Sequence, residues 1–240
     1  MNDFDNIPAP MYGPPPVFYE EKKIVDADNI IFDFGGVLMK HDLIGCRNAF
    51  REFMDDNTIY TVLGLGNENP RGTLLDMLDR GANYDYMLSE ILRHCKPKTT
   101  KFQVIGALNR LHDRIPEDYW EQIRSLRSNG YRTYLLSNTN IIHWADTITR
   151  YNNLIADCFD DVFLSFEMHC AKPDERIFKE VDIAIGAAPR RTIFVDDTTA
   201  NREAAERYVG WETCWDMKSL LREIELKELA QEIVTQWRMP

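Results

Sequence analysis

The sequence predicts an α/β protein: a doubly wound parallel sheet forming a Rossmann-like core, with a small α-helical unit inserted after the first strand. Two observations lead there. From Asn29 onward, short apolar runs that end in polar residues alternate with helical stretches. Such alternation implies parallel strands with helices on both faces. The alternation breaks once, over residues 41–115, which carry helical periodicity and no strand pattern.

Taken in order, strands are expected over 30–33, 131–137, 162–165, 192–196 and 212–215. Helices are expected between them over 117–128, 141–150, 175–185 and 200–209, the first closed by Gly130 as a C-terminal cap. Inside the insertion, Leu43, Cys46, Phe50 and Met54 share one helical face. Met87, Leu88, Ile91 and Leu92 share a second, and Ile105, Leu108 and Leu111 a third. These stripes are expected to form an internal helical core. Residues 1–25 hold Pro8, Pro10, Pro14, Pro15 and Pro16 with few aliphatic side chains, so no regular structure is expected of that arm. The expected organisation is a proline-rich extension over 1–25, a core from 26–40 and 116–240, and a helical unit over 41–115.

Composition narrows the function. The 240 residues carry 28 Lys plus Arg against 39 Asp plus Glu, a net charge of −11 that repels a nucleic-acid backbone. A small anionic substrate stays compatible, because a bound cation and local N–H groups can reverse the field inside one pocket. The five cysteines are scattered and show no metal-ligand spacing, as expected of reduced structural thiols. The N-terminus, MNDFDNIPAP, lacks the basic start and apolar run of a secretory signal, and no stretch approaches a membrane span. A cytoplasmic protein without a membrane partner is expected. No pattern specifies an oligomeric state.

In an open parallel sheet, ligands bind outside the carboxyl ends of the strands. The polar residues there are Asp33 in IFDFGGVL, Ser137 and Asn138 in LLSNTN, and Asp196 with Asp197 in FVDDTTAN, with Lys172 in the loop after the third strand. Three carboxylates, a hydroxyl and an ammonium suit phosphoryl transfer. A carboxylate can attack phosphorus, which splits one difficult displacement into two easier ones. Carboxylates alone repel a phosphate dianion, so a cation must intervene, and Mg²⁺ favours one or two carboxylates plus phosphate and water. Ser137 and Lys172 would then stabilise the remaining phosphoryl oxygens.

These four segments, in this order and at these strand ends, resemble the four motifs of the haloacid-dehalogenase-like superfamily. The helical insertion resembles its C1-type cap. The LSNTN string followed by His143, the KPDERIF segment and the DD-x-x-x-N ending are most similar to the branch that includes α-glucose-1-phosphate phosphatase. The resemblance implies a Mg²⁺-dependent phosphatase acting on a small phosphorylated metabolite, such as a sugar 1-phosphate, through an aspartyl-phosphate. It makes Asp33 the nucleophile and a metal ligand, with the Gly35 carbonyl, Asp196 and Asp197 completing the metal site. It has Ser137 bind the phosphoryl group with support from Asn138, Lys172 pair with Asp33 and phosphate, and Asn201 orient the metal carboxylates. His143 is a further candidate for substrate contact.

One departure matters. Phosphatases of this superfamily usually carry an aspartate two residues after the nucleophile as general acid, and this chain has Gly35 there. A general acid contributes about 10²- to 10⁴-fold. The glycine therefore favours esters of good leaving groups, with His41 or Asp42 as alternative proton sources. A non-catalytic binding or regulatory protein is the rival reading, and the retained site residues argue against it. The motif-four acids weigh against a 2-haloacid dehalogenase, and Gly35 against a sugar phosphomutase.

Overall fold

Ile30, Ile31 and Phe32 follow one another without a polar break and are all fully buried, as expected of a strand covered on both faces. They belong to β1 (Ala27–Phe32), the middle strand of the sheet in this computed structural model, which describes residues 27–66, 70–186 and 191–237. The proline-rich arm expected over 1–25 lies outside the described residues.

The other strands are β2 (Arg132–Ser137), β3 (Asp161–Leu164), β4 (Arg191–Val195) and β5 (Glu212–Cys214). All pair in parallel in the order β3-β2-β1-β4-β5. Every expected strand is present, with its ends moved by at most three residues. The expected doubly wound parallel sheet is the observed fold.

Successive strand residues point to opposite faces, and two apolar layers result. Ile30, Phe32, Leu135, Ile193 and Val195 pack with α6 (Glu117–Ser128), α7 (Ile141–Cys158) and α11 (Met217–Trp237), through Trp120, Ile123, Ile155, Leu220 and Ile224. Ile31, Tyr134, Leu136 and Phe194 face the opposite layer, built by α9 (Glu175–Ala184) and α10 (Thr199–Val209) through Ile177, Phe178, Val181, Ala204 and Ala205. Phe32 is fully enclosed. Phe32→Ala should cost about 3–5 kcal/mol of stability, read as a lowered denaturation midpoint with an unchanged slope.

Between β1 and α6 lie α1 (Leu43–Arg51), α2 (Asp56–Thr58), a π-helical turn (Ile59–Leu63), α3 (Leu74–Asp79), α4 (Tyr84–Arg93) and α5 (Lys101–Asn109). They close around Cys46, Phe50, Leu63, Leu78, Leu88, Ile91, Val104 and Leu108. The chain leaves and re-enters the core side by side. Asp42 N donates to the Leu111 carbonyl at 2.8 Å and Asp113 N to the Lys40 carbonyl at 3.1 Å, while His41 bridges antiparallel to His112.

Local signals explain most boundaries. Asn129 and Gly130 end α6, and Gly130 adopts φ 91°, the expected left-handed cap. Asn140 caps α7 by accepting from the amides of Ile142 and His143. Three features depart from the sequence expectation. The helix expected over 141–150 continues to Cys158, a short helix α8 (Ser165–Met168) follows β3, and α11 closes one face of the sheet. The helix α11 completes the layer over β1 and β4 through Met217, Leu220 and Ile224, spaced three and four residues apart. Trp120 and Trp211 pack in the core, whereas Trp215 is 61% exposed. No helix among the described residues is long and apolar enough to cross a membrane. All five cysteines are free thiols.

Candidate active site

The strand order brings the expected residues together. Asp33 follows β1 and continues its ladder, its amide donating to the Val195 carbonyl at 2.8 Å. Asp196 follows β4 and donates to the Cys214 carbonyl at 3.0 Å. Ser137 ends β2 on the other side of β1. Asp33, Ser137 and Asp196 are all buried.

Lys172 ties the set together. Its ammonium donates to Asp33 Oδ1 at 2.8 Å, Asp196 Oδ2 at 2.7 Å and the Leu136 carbonyl at 2.9 Å. The nitrogen also lies 5.3 Å from the Phe194 ring centre, a cation–π distance. Asn138 fixes the lysine from the main chain. Its side-chain oxygen accepts from Lys172 N at 2.8 Å and its amide donates to the Lys172 carbonyl at 2.9 Å. Asn138 was expected to support Ser137, but it clamps Lys172 instead. Ser165 holds the neighbouring turn, accepting from Thr139 N at 2.9 Å and donating to the Thr139 carbonyl at 3.0 Å.

Asp196 is held from several directions. The Asn201 amide spans its two oxygens at 3.1 and 3.0 Å, and Thr198 N donates to Oδ1 at 2.8 Å. Arg202 donates to the Asp196 carbonyl at 2.7 Å. Asp197 is exposed, and one carboxylate oxygen each from Asp33, Asp196 and Asp197 fall within 4.8 Å of one another. Three carboxylates facing one ammonium leave about two negative charges unmatched. Burial pushes the Asp33 carboxyl up to about 7, Lys172 opposing that rise and Asp196 adding to it. Burial pulls Lys172 down, yet the two carboxylates outweigh it and hold its pKa above the usual lysine value. Hard oxygen donors crowded around surplus negative charge are a fitting set for a small divalent cation.

A family model described as haloacid dehalogenase-like hydrolase matches residues 27–208. This chain belongs to that family. The hydrolase is 30% identical over 195 residues to D-ribitol-5-phosphate phosphatase of Bacteroides thetaiotaomicron, a match covering 77% of this chain and 89% of the relative. Among solved structures it is similar to a haloacid-dehalogenase-family enzyme of the same organism, solved with magnesium and inorganic phosphate. That likeness has a TM-score of 0.71 at 27% identity, covering 78% of this chain and 93% of the other. A predicted family hydrolase from Porphyromonas gingivalis aligns with a TM-score of 0.69 at 27% identity, covering 82% and 98%.

Two glycines of the hydrolase are explained by close approach. A Cβ on Gly36 (φ 82°) would collide with the Asp197 carboxylate, and a Cβ on Gly35 would collide with the His41 ring, Nε2 foremost. The His41 imidazole therefore stands in the space that a side chain at position 35 would enter. Burial lowers the His41 pKa, and Asp197 works against that shift. Asp42, the other candidate proton source, is committed elsewhere: its carboxylate caps α1 by accepting from Gly45 N at 2.8 Å.

His143 requires a correction. It is buried, with Nε2 3.2 Å from the Leu108 carbonyl and Nδ1 3.3 Å from the Asn140 amide, so both ring nitrogens face protein. Burial pulls its pKa down to about 4. The helical turn that starts at Asn140 points His143 against α5, its Nε2 facing the Leu108 carbonyl. His112, without a partner by sequence spacing, lies 4.5 Å from His143 by ring centres and stacks with His41 at 6.2 Å.

Beside Lys172 opens a cavity of about 830 Å³, walled by both the core and the helical unit. Its lining includes Asn138, Lys172 and Asn201 from the core, His41 from the start of the helical unit, and Asp76, Asp79 and Arg80 from α3 and its end. None of the last three was singled out by sequence.

Proposed function

We propose that the hydrolase is a Mg²⁺-dependent phosphatase that cleaves a small phosphomonoester through an aspartyl-phosphate on Asp33. The observation that carries this reading is the Lys172 ammonium held between Asp33 and Asp196, with Asp197 within reach, at the floor of a cavity roofed by the helical unit. We read residues 41–115 as a cap over residues 26–40 and 116–240.

Asp33, Asp196, Asp197 and the Gly35 carbonyl would hold Mg²⁺, and the enzyme of similar structure solved with magnesium and phosphate supports that choice. The ion supplies positive charge to the phosphoryl oxygens. Asp33 attacks phosphorus, forming the acyl-phosphate bond as the bond to the leaving oxygen breaks. His41 gives a proton to that oxygen and takes one back from the water that later hydrolyses the intermediate. Ser137, at the end of β2, hydrogen-bonds the phosphoryl group, and Asn201 keeps Asp196 in register.

With His41 in the place of the usual acid, the substrate needs no unusually good leaving group. The argument for a sugar 1-phosphate weakens accordingly, and the relative that acts on D-ribitol 5-phosphate supports a polyhydroxylated alkyl phosphate. A phosphate-release screen with and without Mg²⁺ over polyol 5-phosphates, sugar 1-phosphates, sugar 6-phosphates and an aryl phosphate tests this. Release from polyol phosphates that requires Mg²⁺ is expected. A preference for sugar 1-phosphates would restore the branch suggested by LSNTN, and a folded protein inert on the whole panel would favour the non-catalytic rival.

His41→Ala should lower kcat/KM by about 10²- to 10⁴-fold. Gly35→Asp should also lose activity, because its side chain and the His41 ring claim one space. The double variant should exceed His41→Ala alone, since the restored acid then has room. Losses that simply multiply across the pair would show that the two positions act independently.

A further inference from the structure

We infer that Asp79, at the end of α3, is the residue that selects the polyhydroxylated part of the substrate, its free carboxylate oxygen accepting a hydrogen bond from a substrate hydroxyl. This inference rests on the phosphatase reading above and extends it to the substrate's carbon chain.

The argument begins with the polar groups of the cavity wall. Asp76 has both oxygens occupied, Oδ1 by Arg80 Nε at 2.9 Å and Oδ2 by Gly72 N at 2.8 Å. Asp174 is likewise filled, accepting from Arg71 at 2.6 Å and from Arg80 Nη1 at 2.5 Å. Asn138 spends both ends of its amide on Lys172, and Asn201 spends its donors on Asp196. These side chains are tied to protein and shape the wall.

Asp79 differs. Its Oδ1 accepts from Asn140 Nδ2 at 2.8 Å, while Oδ2 has no hydrogen-bond partner among the described residues. Asp79 is only partly buried and lines the cavity. Burial holds the carboxyl well above the usual carboxylate range, at about 7, with the Asn140 hydrogen bond opposing. No lysine or arginine pairs with Asp79 among the described residues, although Arg80 follows it in the chain. A half-enclosed carboxyl without an ion-pair partner is costly to keep. A ligand donor satisfies the open oxygen and explains the arrangement.

The geometry also defines what Asp79 contacts. It sits on the helical unit, yet Asn140 anchors it to the loop after β2, next to Asn138 and within the same cavity wall as Lys172. A phosphoryl group at Asp33 would leave its carbon chain in that cavity. An acceptor there rewards a hydroxyl donor and repels a second phosphate or a carboxylate. Uncharged polyol and sugar phosphates fit, and bisphosphates and phosphorylated acids do not.

The test compares ribitol 5-phosphate with pentyl phosphate, which keeps the primary alkyl leaving group and lacks the hydroxyls. The full chain with Mg²⁺ is assayed as wild type, Asp79→Asn and Asp79→Ala. In Asp79→Asn the side-chain oxygen can keep the Asn140 bond and turn an NH₂ donor toward the cavity, so the local fold is retained while the acceptor is lost. Wild type should favour ribitol 5-phosphate in kcat/KM, and both variants should shrink that preference at least tenfold, mainly through KM. A preference that survives in both variants would overturn the inference, as would equal losses on both esters, the mark of a purely structural residue. A wild-type protein that cleaves neither ester would instead overturn the phosphatase reading.

Discussion

Asp33→Asn is expected to reduce Mg²⁺-dependent phosphate release by a factor on the order of 10⁴ or more, without unfolding the protein. The amide keeps the shape of the carboxylate and can still accept from Phe34 N, which now donates to Oδ1 at 2.7 Å. It cannot attack phosphorus. The stability effect has the opposite sign. The folded-state pKa of Asp33 is raised to about 7 from 3.8, chiefly by burial. A raised carboxyl pKa contributes stability that is fully present below the unfolded value and lost as pH rises through the folded one. In chelator at pH 8, Asp33→Asn should therefore melt at or above the parent temperature, the gap narrowing toward pH 5. Phosphate release within tenfold of the parent would remove Asp33 from the nucleophile's role.

Lys172→Met is expected to lose both activity and stability. The ammonium is enclosed between two carboxylates, and its removal leaves buried negative charge without a partner. Breaking a buried ion pair from one side costs roughly 3–5 kcal/mol, and in a chain of this size each kcal/mol moves Tm by about 2–4 °C. A fall of roughly 6–20 °C should appear in thermal unfolding with chelator present. Mg²⁺ should restore part of it, since the cation supplies charge to the same carboxylates. An unchanged Tm would mean that the carboxylates are protonated in the folded protein.

The fold was legible because each strand ends in a residue of a different character from its body. IIF turning to Asp33, LLS to Asn138 and FV to Asp196 mark strand ends that one topology must bring side by side, and the structure does so. The end of the helix over 117–128 was legible because Gly130 closes it, while Pro116 caps its start in the structure. The helix α11 left a fainter trace, since few of its residues, Met217, Leu220 and Ile224 foremost, pack on the sheet. The site was less legible where contacts span the chain. Asp79 and Asn140 meet across 61 residues, and no spacing rule joins them. Nearness along the chain misled for His143, because Asn140 starts a helix that turns the ring toward Leu108. It served for His41, but the reason became visible only when its ring filled the space beside Gly35.

An ammonium has three protons, and those of Lys172 go to Asp33, Asp196 and the Leu136 carbonyl. The lysine thus has no spare valence to offer an arriving phosphoryl oxygen. It can touch substrate only by exchange, releasing one acceptor as it takes another, so the strength of its existing bonds is subtracted from its grip on phosphate. The lysine then acts less as a clamp on the ligand than as a spacer that fixes two acids at a set separation before any ligand arrives.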